Sequence, residues 1–593
     1  SKSIPSDSTP SIELELKTSG RSRRCCTEKS WISVLPALRE SSLRRWLGQH
    51  EVSYCTQQAG HYSSLTLPGS PDVLFWTSQA KEDHMNRVVY ATLAPLTLSL
   101  GFAAIQDPVH VQNGLVSGEA GKDAAVHVYK GIPYAAPPVG DLRWKKPQAP
   151  AAWQGTKQAT EFPKACVQAP YPQTSIYYRP AEPMSEDCLY LNIWTAAQSA
   201  KEHRPVMVWV HGGGFTRGSG SVATYDGENL AKKGVIVVTI NYRLGIFGFL
   251  AHPELTKESD VKSSGNYGLL DMVAALEWVQ KNIAAFGGDP KRVTIFGESA
   301  GSSAVNFLMA SPLAKGLFQR VIGESGANFG RGVALSEMEQ NGSRLGSLAA
   351  LRAKSADDLL KTEGSFRPCL DGWFLPESVG EIFAQHKQSD VPVIAGSNAD
   401  EARSLAPWPA NATAKTFVDQ AHKRYGDFTD EFLKLYPAGS NEQAAEAHYR
   451  SSTDGGMGWE MRTWVRAQTK SGKAPAYLYY FTRTPPWEQS SRYRAFHAAE
   501  IQYVFANLRP GRPWEDADRK LADEMSSYWA NFAATGNPNG KGLPKWPSYD
   551  LKHDPAMEFG DHIEVQHEVN KATLDFFDRF FAVEKAAPRT GSN

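Results

Sequence analysis

The stretch Gly297-Glu298-Ser299-Ala300-Gly301 sets a serine between two glycines, directly after the apolar run Arg292-Val293-Thr294-Ile295-Phe296 and before the helix-compatible Ser302-Ser303-Ala304-Val305-Asn306-Phe307-Leu308. Strand, tight turn and helix in that order hold a serine Oγ out where a base and a substrate can both reach it. A serine hydroxyl is a weak nucleophile until a base takes its proton, so the chemistry indicated is nucleophilic attack through Ser299. The pattern G-x-S-x-G also arises by chance as a small-residue turn, so the reading depends on the groups that would have to accompany it.

Attack on an ester carbonyl leaves an anionic oxygen that fixed N–H donors must meet. Ala300, next to the serine, offers one. Gly212-Gly213-Gly214, after the buried-strand pattern Pro205-Val206-Met207-Val208-Trp209-Val210, offers the others at Gly213 and Gly214. Loss of one such donor typically costs about 3 kcal/mol of transition-state stabilisation. A glycine loop can also cradle phosphate, but no Gly-Lys-Ser/Thr follows it here.

In this arrangement an acid and then a histidine follow the serine along the chain. The strand-like Val391-Pro392-Val393-Ile394-Ala395-Gly396-Ser397-Asn398 leads into Asp400 and Glu401, and spacing alone leaves both carboxylates open. His497, in Ala495-Phe496-His497-Ala498-Ala499-Glu500, has the small and apolar neighbours of a buried loop, the alternative being a core histidine with its hydrogen bonds satisfied.

The elements that must position these groups read as an α/β protein. From about Val109 strand-like and helix-like patterns alternate, as in a large, mostly parallel sheet flanked by helices. Gly234-Val235-Ile236-Val237-Val238-Thr239-Ile240 has the β-branched content of an interior strand ended by Asn241-Tyr242-Arg243. Leu269, Leu270, Val273, Leu276 and Val279 recur at helical spacing, which predicts an amphipathic helix lying on the sheet. Gly287-Gly288-Asp289-Pro290 predicts a turn before the strand at Arg292.

The 593 residues are 41% hydrophobic and include 16 Trp, ample for a large core. Lys+Arg and Asp+Glu both total 63, so there is no global basic field for nucleic acid or an anionic membrane. None of the six cysteines forms a C-x-x-C pair, which argues against a zinc or redox motif. Cys166 and Cys188 would enclose a loop of about 20 residues, worth roughly 3 kcal/mol as a cross-link in an oxidising compartment; two unrelated thiols are the alternative.

Met85-Asn86-Arg87, a nearly uncharged run from Val88 to Ala104 and then Ile105-Gln106-Asp107-Pro108 have the layout of a secretory signal peptide over 85–104, cut after Ala103, or of an uncleaved signal anchor. Residues 1–84 are expected to be an extension, disordered or foreign to the native protein, that adds nothing to activity. The expected division is therefore 1–84, 85–104, a catalytic domain over 105–585 and a tail over 586–593.

With these motifs assembled, the chain from about Val109 to near its C-terminus resembles the type-B carboxylesterase and cholinesterase family. The resemblance rests on Gly131-Ile132-Pro133-Tyr134-Ala135 with Pro137-Pro138-Val139-Gly140, on Ser185-Glu186-Asp187-Cys188-Leu189-Tyr190-Leu191-Asn192, and on the two glycine motifs above. Asn398-Ala399-Asp400-Glu401, Phe496-His497-Ala498-Ala499-Glu500 and Thr535-Gly536-Asn537-Pro538 continue it in order. It implies a single α/β-hydrolase domain and a Ser299, His497, Glu401 triad; the family's acid is the glutamate of Asn-x-Asp-Glu-Gly, here with Ala402 in place of the last glycine. It further implies a Cys166–Cys188 disulfide, Glu298 beside the nucleophile, and Ser325 supporting the site from behind.

The cholinesterase tryptophan that holds a quaternary ammonium has no counterpart in Ile176-Tyr177-Tyr178, which argues against choline esters. Cys369 stands alone, and the body looks more like the bacterial carboxylesterases related to para-nitrobenzyl esterase. The function expected is hydrolysis of small-molecule carboxylic esters through an acyl-enzyme, with no cofactor or metal, no nucleic acid, no membrane unless the signal segment is uncleaved, and a secreted or periplasmic location. The alternatives are a catalytically silent adhesion member of the fold, as in neuroligins, or an amidase.

Overall fold

The computed structural model describes Ile105, residues 107–586, and the backbone of three short strands nearer the N-terminus. Those strands, Tyr54–Thr56, Tyr62–Leu65 and Val73–Trp76, pair antiparallel in a small sheet where the sequence reading placed no element. They belong to a unit covering residues 1–98, separate from the unit that holds the candidate site. The expected signal segment and its cut after Ala103, and the tail beyond residue 586, lie outside the described residues. Among the described residues no helix is long and apolar enough to cross a membrane.

The second unit is built on an eleven-stranded sheet. Its strands are β1 (Glu119–Ala120), β2 (His127–Pro133), β3 (Tyr190–Thr195), β4 (Arg204–Val210), β5 (Ile236–Ile240), β6 (Gly288–Glu298), β7 (Arg320–Glu324), β8 (Val393–Asn398), β9 (Ala476–Phe481), β10 (Pro555–Phe559) and β11 (Ile563–His567). They lie in the order β11-β10-β9-β8-β7-β6-β4-β5-β3-β2-β1. Pairing is parallel from β10 through β5 and antiparallel at both ends. Parallel strands need crossovers that cover the faces, so interior strands are apolar throughout rather than alternating. Along β4, Val206, Val208 and Val210 enter one core and Met207 and Trp209 the other. Each such side chain, fully buried, contributes about 1.5–3 kcal/mol of hydrophobic free energy.

The first core is closed by α1 (Tyr267–Asn282), α2 (Ala300–Ala310) and α3 (Trp459–Ser471), and the second by α4 (Asp516–Thr535). The helix read as amphipathic, α1, buries Leu269, Leu270, Val273, Leu276 and Val279 and leaves Glu277 and Lys281 exposed, with Arg243 and Phe249 packed against its start at Gly268. Its fully buried Asp271 is held there by Arg243, at 2.6 and 2.8 Å. One local expectation is corrected: β6 begins at Gly288 rather than Arg292, since Gly287, at φ 83°, makes the turn, and Gly288 already pairs with Arg204 before a register shift that accommodates Pro290, which has no N–H to give.

Candidate active site

Ser299 sits between β6 and α2 at φ 58°, ψ −123°, a conformation that costs a non-glycine residue of order 1–3 kcal/mol and persists only where the surroundings over-determine it. Its N–H donates to Glu324 O at 2.8 Å, and its carbonyl accepts from Ser303 N at 2.9 Å. Close backbone approach completes the clamp. A Cβ on Gly301 would fall 1.9 Å from Val210 O, one on Gly297 2.6 Å from the same oxygen, and one on Gly326 2.4 Å from Ser299 O. The two glycines of the pentapeptide thus let β4 press against the turn that presents the serine.

Gly213 (φ 109°) and Gly214 (φ 64°) follow β4 on the same side of the sheet and line a cleft with Ser299. Among the described residues neither glycine's N–H has an acceptor within the protein. Ala300 is the first residue of α2, so its N–H has no partner in the helix. Gly212 must be glycine for a different reason: a Cβ there would meet Glu298 Oε2 at 2.6 Å.

His497 is buried in the loop between the helical turns Ser490–Tyr493 and Ile501–Val504 that follow β9, and its Nδ1 lies 2.6 Å from Glu401 Oε2. The other oxygen of Glu401 accepts the Asn398 N–H at 2.7 Å, which fixes the carboxylate at the end of β8. Asp400 faces elsewhere: it accepts from Arg403 Nε at 2.7 Å and lies 3.7 Å from Arg494. Of the two carboxylates that spacing left open, Glu401 therefore meets the imidazole. Ala402, where the family has glycine, is buried and donates its N–H to Thr453 Oγ1, so the methyl group is accommodated.

On the other side of the ring, Glu298 Oε1 is 3.0 Å from His497 Nε2. Burial disfavours the imidazolium, but the charges of Glu298 and then Glu401 outweigh it and raise His497 to about 9. Glu298 itself is pushed up to about 7, chiefly by burial. Ser325 touches this system at one remove, through a 3.4 Å hydrogen bond from its Oγ to Glu500.

Glu500, Asn398 and Glu324 were assigned no role from the sequence. Glu500 accepts from Asn398 Nδ2 at 2.5 Å, and Asn398 Nδ2 also donates to the Phe496 carbonyl, so the pair braces the histidine loop against β8. Burial, followed by the charges of Glu298 and Glu401, raises Glu500 to about 8. Glu324, which accepts from Trp529 Nε1, is raised well above the ordinary carboxylate range by burial and by Glu500. The available signal was a glutamate ending an apolar strand, Val321-Ile322-Gly323-Glu324, where a charge has no business unless it is held.

The cleft has a volume of about 1680 Å³ and is lined by Ser299, His497, Gly213 and Gly214 together with the loop that the Cys166–Cys188 disulfide closes. That loop supplies Tyr177, whose hydroxyl donates to Ser404 Oγ at 2.8 Å and lies 3.0 Å from the His497 carbonyl. Cys369 is buried and forms no disulfide among the described residues.

A model of the carboxylesterase family matches residues 106–577. Among curated proteins, the chain is 41% identical over 479 residues to the fumonisin B1 esterase of Sphingopyxis macrogoltabida, covering 77% of this chain and 86% of that one. It is 36% identical over 490 residues to the para-nitrobenzyl esterase of Bacillus subtilis (strain 168), covering 78% and 96%. A solved PNB esterase superposes with a TM-score of 0.67 at 35% identity, over 79% of this chain and 99% of its own.

Proposed function

The chain belongs to the carboxylesterase family, has the α/β-hydrolase fold and is a carboxylic ester hydrolase, and from that premise we propose that it works by two-step acyl transfer through Ser299, His497 and Glu401. Ser299 Oγ attacks the ester carbonyl as His497 Nε2 takes its proton, and Glu401, ionised throughout, holds the ring as the Nδ1–H tautomer. The oxyanion receives the N–H groups of Gly213, Gly214 and Ala300. His497 then protonates the departing alcohol, and a water molecule activated in the same way releases the acid from the acyl-enzyme.

The observation that carries this reading is the 2.6 Å contact of His497 Nδ1 with buried Glu401, in a loop that shares its cleft with a strained Ser299. A secreted or periplasmic location belongs to the same proposal, supported by a Cys166–Cys188 disulfide of the kind that persists in oxidising compartments.

The test is hydrolysis of para-nitrophenyl esters of graded acyl length by the chain from Asp107, beside Ser299→Ala. Turnover that vanishes in the variant supports the mechanism. Turnover that survives in a folded Ser299→Ala protein overturns it.

A further inference from the structure

The cleft carries an excess of positive charge that its own carboxylates do not neutralise, in a chain whose charges balance overall. Nine Lys and Arg residues line it against four Asp and Glu, and carboxylates outside the lining reach only two of the nine, Lys232 by Asp123 at 3.8 Å and Arg519 by Asp516 at 3.1 Å, among the described residues. Two of the four acids are taken by lysines, Asp226 by Lys122 and Asp523 by Lys233. Glu298 faces His497, and Glu182 comes no nearer than 3.9 Å to Arg179.

Arg217 is a leftover cation that lies against the glycine loop lining the cleft with Ser299. It follows Gly214 by three residues, and its N–H donates to Gly213 O at 3.0 Å. Its Nε is spent on the Ala169 carbonyl, and among the described residues no carboxylate pairs with its guanidinium. Its guanidinium lies 5.4 Å from the ring of Tyr171, and Arg179 lies 5.5 Å from the same ring. Tyr171 Oη in turn is 3.3 Å from where a Cβ of Gly213 would stand. Two guanidinium groups are thus gathered on one aromatic ring at the edge of the glycine loop.

Arg512, elsewhere on the lining, is another cation that among the described residues has no counter-ion: it lies 4.7 Å over the ring of Trp487 and 5.8 Å from that of Trp514, and its buried Nη1 has no hydrogen-bond partner among them. Leaving such a group unpaired costs free energy unless a ligand meets it. Planar guanidinium forks match carboxylate geometry, and in a concave cleft their field draws in anions.

We propose that this cleft prefers esters that carry a free carboxylate near the scissile bond, held by Arg217 with Arg179, and that Arg512 anchors a further anionic group of larger substrates. The proposal rests on the acyl-transfer reading above for the position of the scissile bond.

The test compares kcat/KM for 4-nitrobenzyl hydrogen glutarate with that for 4-nitrobenzyl valerate, and for 4-carboxybenzyl valerate with that for 4-methylbenzyl valerate, in wild type and Arg217→Gln. The expected result is a preference of about tenfold or more for the charged member of at least one pair, weakening as salt rises and largely lost in Arg217→Gln. Equal rates within both pairs, or a preference unmoved by Arg217→Gln, overturns the proposal. Calorimetric binding of glutarate at low ionic strength gives a readout independent of turnover: weaker binding to Arg217→Gln supports the site, and no difference from wild type counts against it. Survival of neutral-ester turnover in Ser299→Ala would sink the acyl-transfer mechanism while leaving the charge preference of the wild type to be read separately.

Discussion

Nε2 of His497 lies 3.0 Å from Oε1 of Glu298, so the ring nitrogen that should receive the Ser299 proton also faces a carboxylate. A negative Glu298 favours the imidazolium and withholds the base, and it is the largest of the three carboxylate charges that raise His497 to about 9 against the effect of burial. Glu298→Gln removes that charge. The acid limb of the pH dependence of kcat/KM is expected to move to lower pH, because His497 then becomes neutral earlier. A profile coincident with wild type would show that Glu298 does not govern the base.

The two neighbouring carboxylates at the end of β8 should separate cleanly. Glu401 holds His497 Nδ1, whereas Asp400 holds Arg403. Replacing Glu401 with Gln is expected to cost about 10³–10⁴-fold in kcat through loss of the correct tautomer and of imidazolium stabilisation. Asp400→Asn is expected to cost less than about tenfold, since it loosens a partly buried ion pair away from the ring. Single-turnover rates of the two variants decide the matter, and a larger loss in Asp400→Asn contradicts the assignment.

Glu500 links acidity to stability. Burial and then the charges of Glu298 and Glu401 raise it to about 8, so folding takes up a proton between the ordinary carboxylate range and about pH 8. Stability contributed by the protonated group is therefore lost as pH rises through that window. Glu500→Gln keeps an oxygen for Asn398 Nδ2 and removes the charge. The variant should lose less Tm than wild type between pH 5 and pH 9 in scanning calorimetry. An equal drop in both proteins would place the pH dependence elsewhere.

Gly301→Ala should fail at the level of folding rather than catalysis. Its Cβ would stand 1.9 Å from Val210 O, a backbone atom at the end of the central strand β4 that pairing with β5 and β6 keeps from stepping aside. We expect a loss of about 3 kcal/mol or more, the upper range for overpacking, measured as the urea midpoint of the chain from Asp107. Gly330→Ala, where no heavy atom lies within 4 Å of the added Cβ and φ is not positive, is the control and should stay within about 0.5 kcal/mol of wild type.

The sequence by itself determined the parts of this protein that are built from adjacent residues. A serine on a strand-to-helix turn needs small residues two places before and after it, and the glycine loop needs backbone angles and close contacts that side chains forbid; such demands are written into contiguous letters. Apolar runs likewise announce buried strands, since a sheet covered on both faces tolerates nothing else. What only the tertiary structure decided are relations across the chain. Asp400 and Glu401 are chemically alike and adjacent, and which one meets His497, 96 residues on, depends on how the end of β8 is pinned by the Asn398 N–H. The brace from Asn398 to Glu500 and the unneutralised Arg217 are of the same kind. A charge is paired or unpaired, and a carboxylate is shifted or ordinary, only through neighbours that folding brings together, because electrostatic free energy depends on distance and burial rather than on position in the chain.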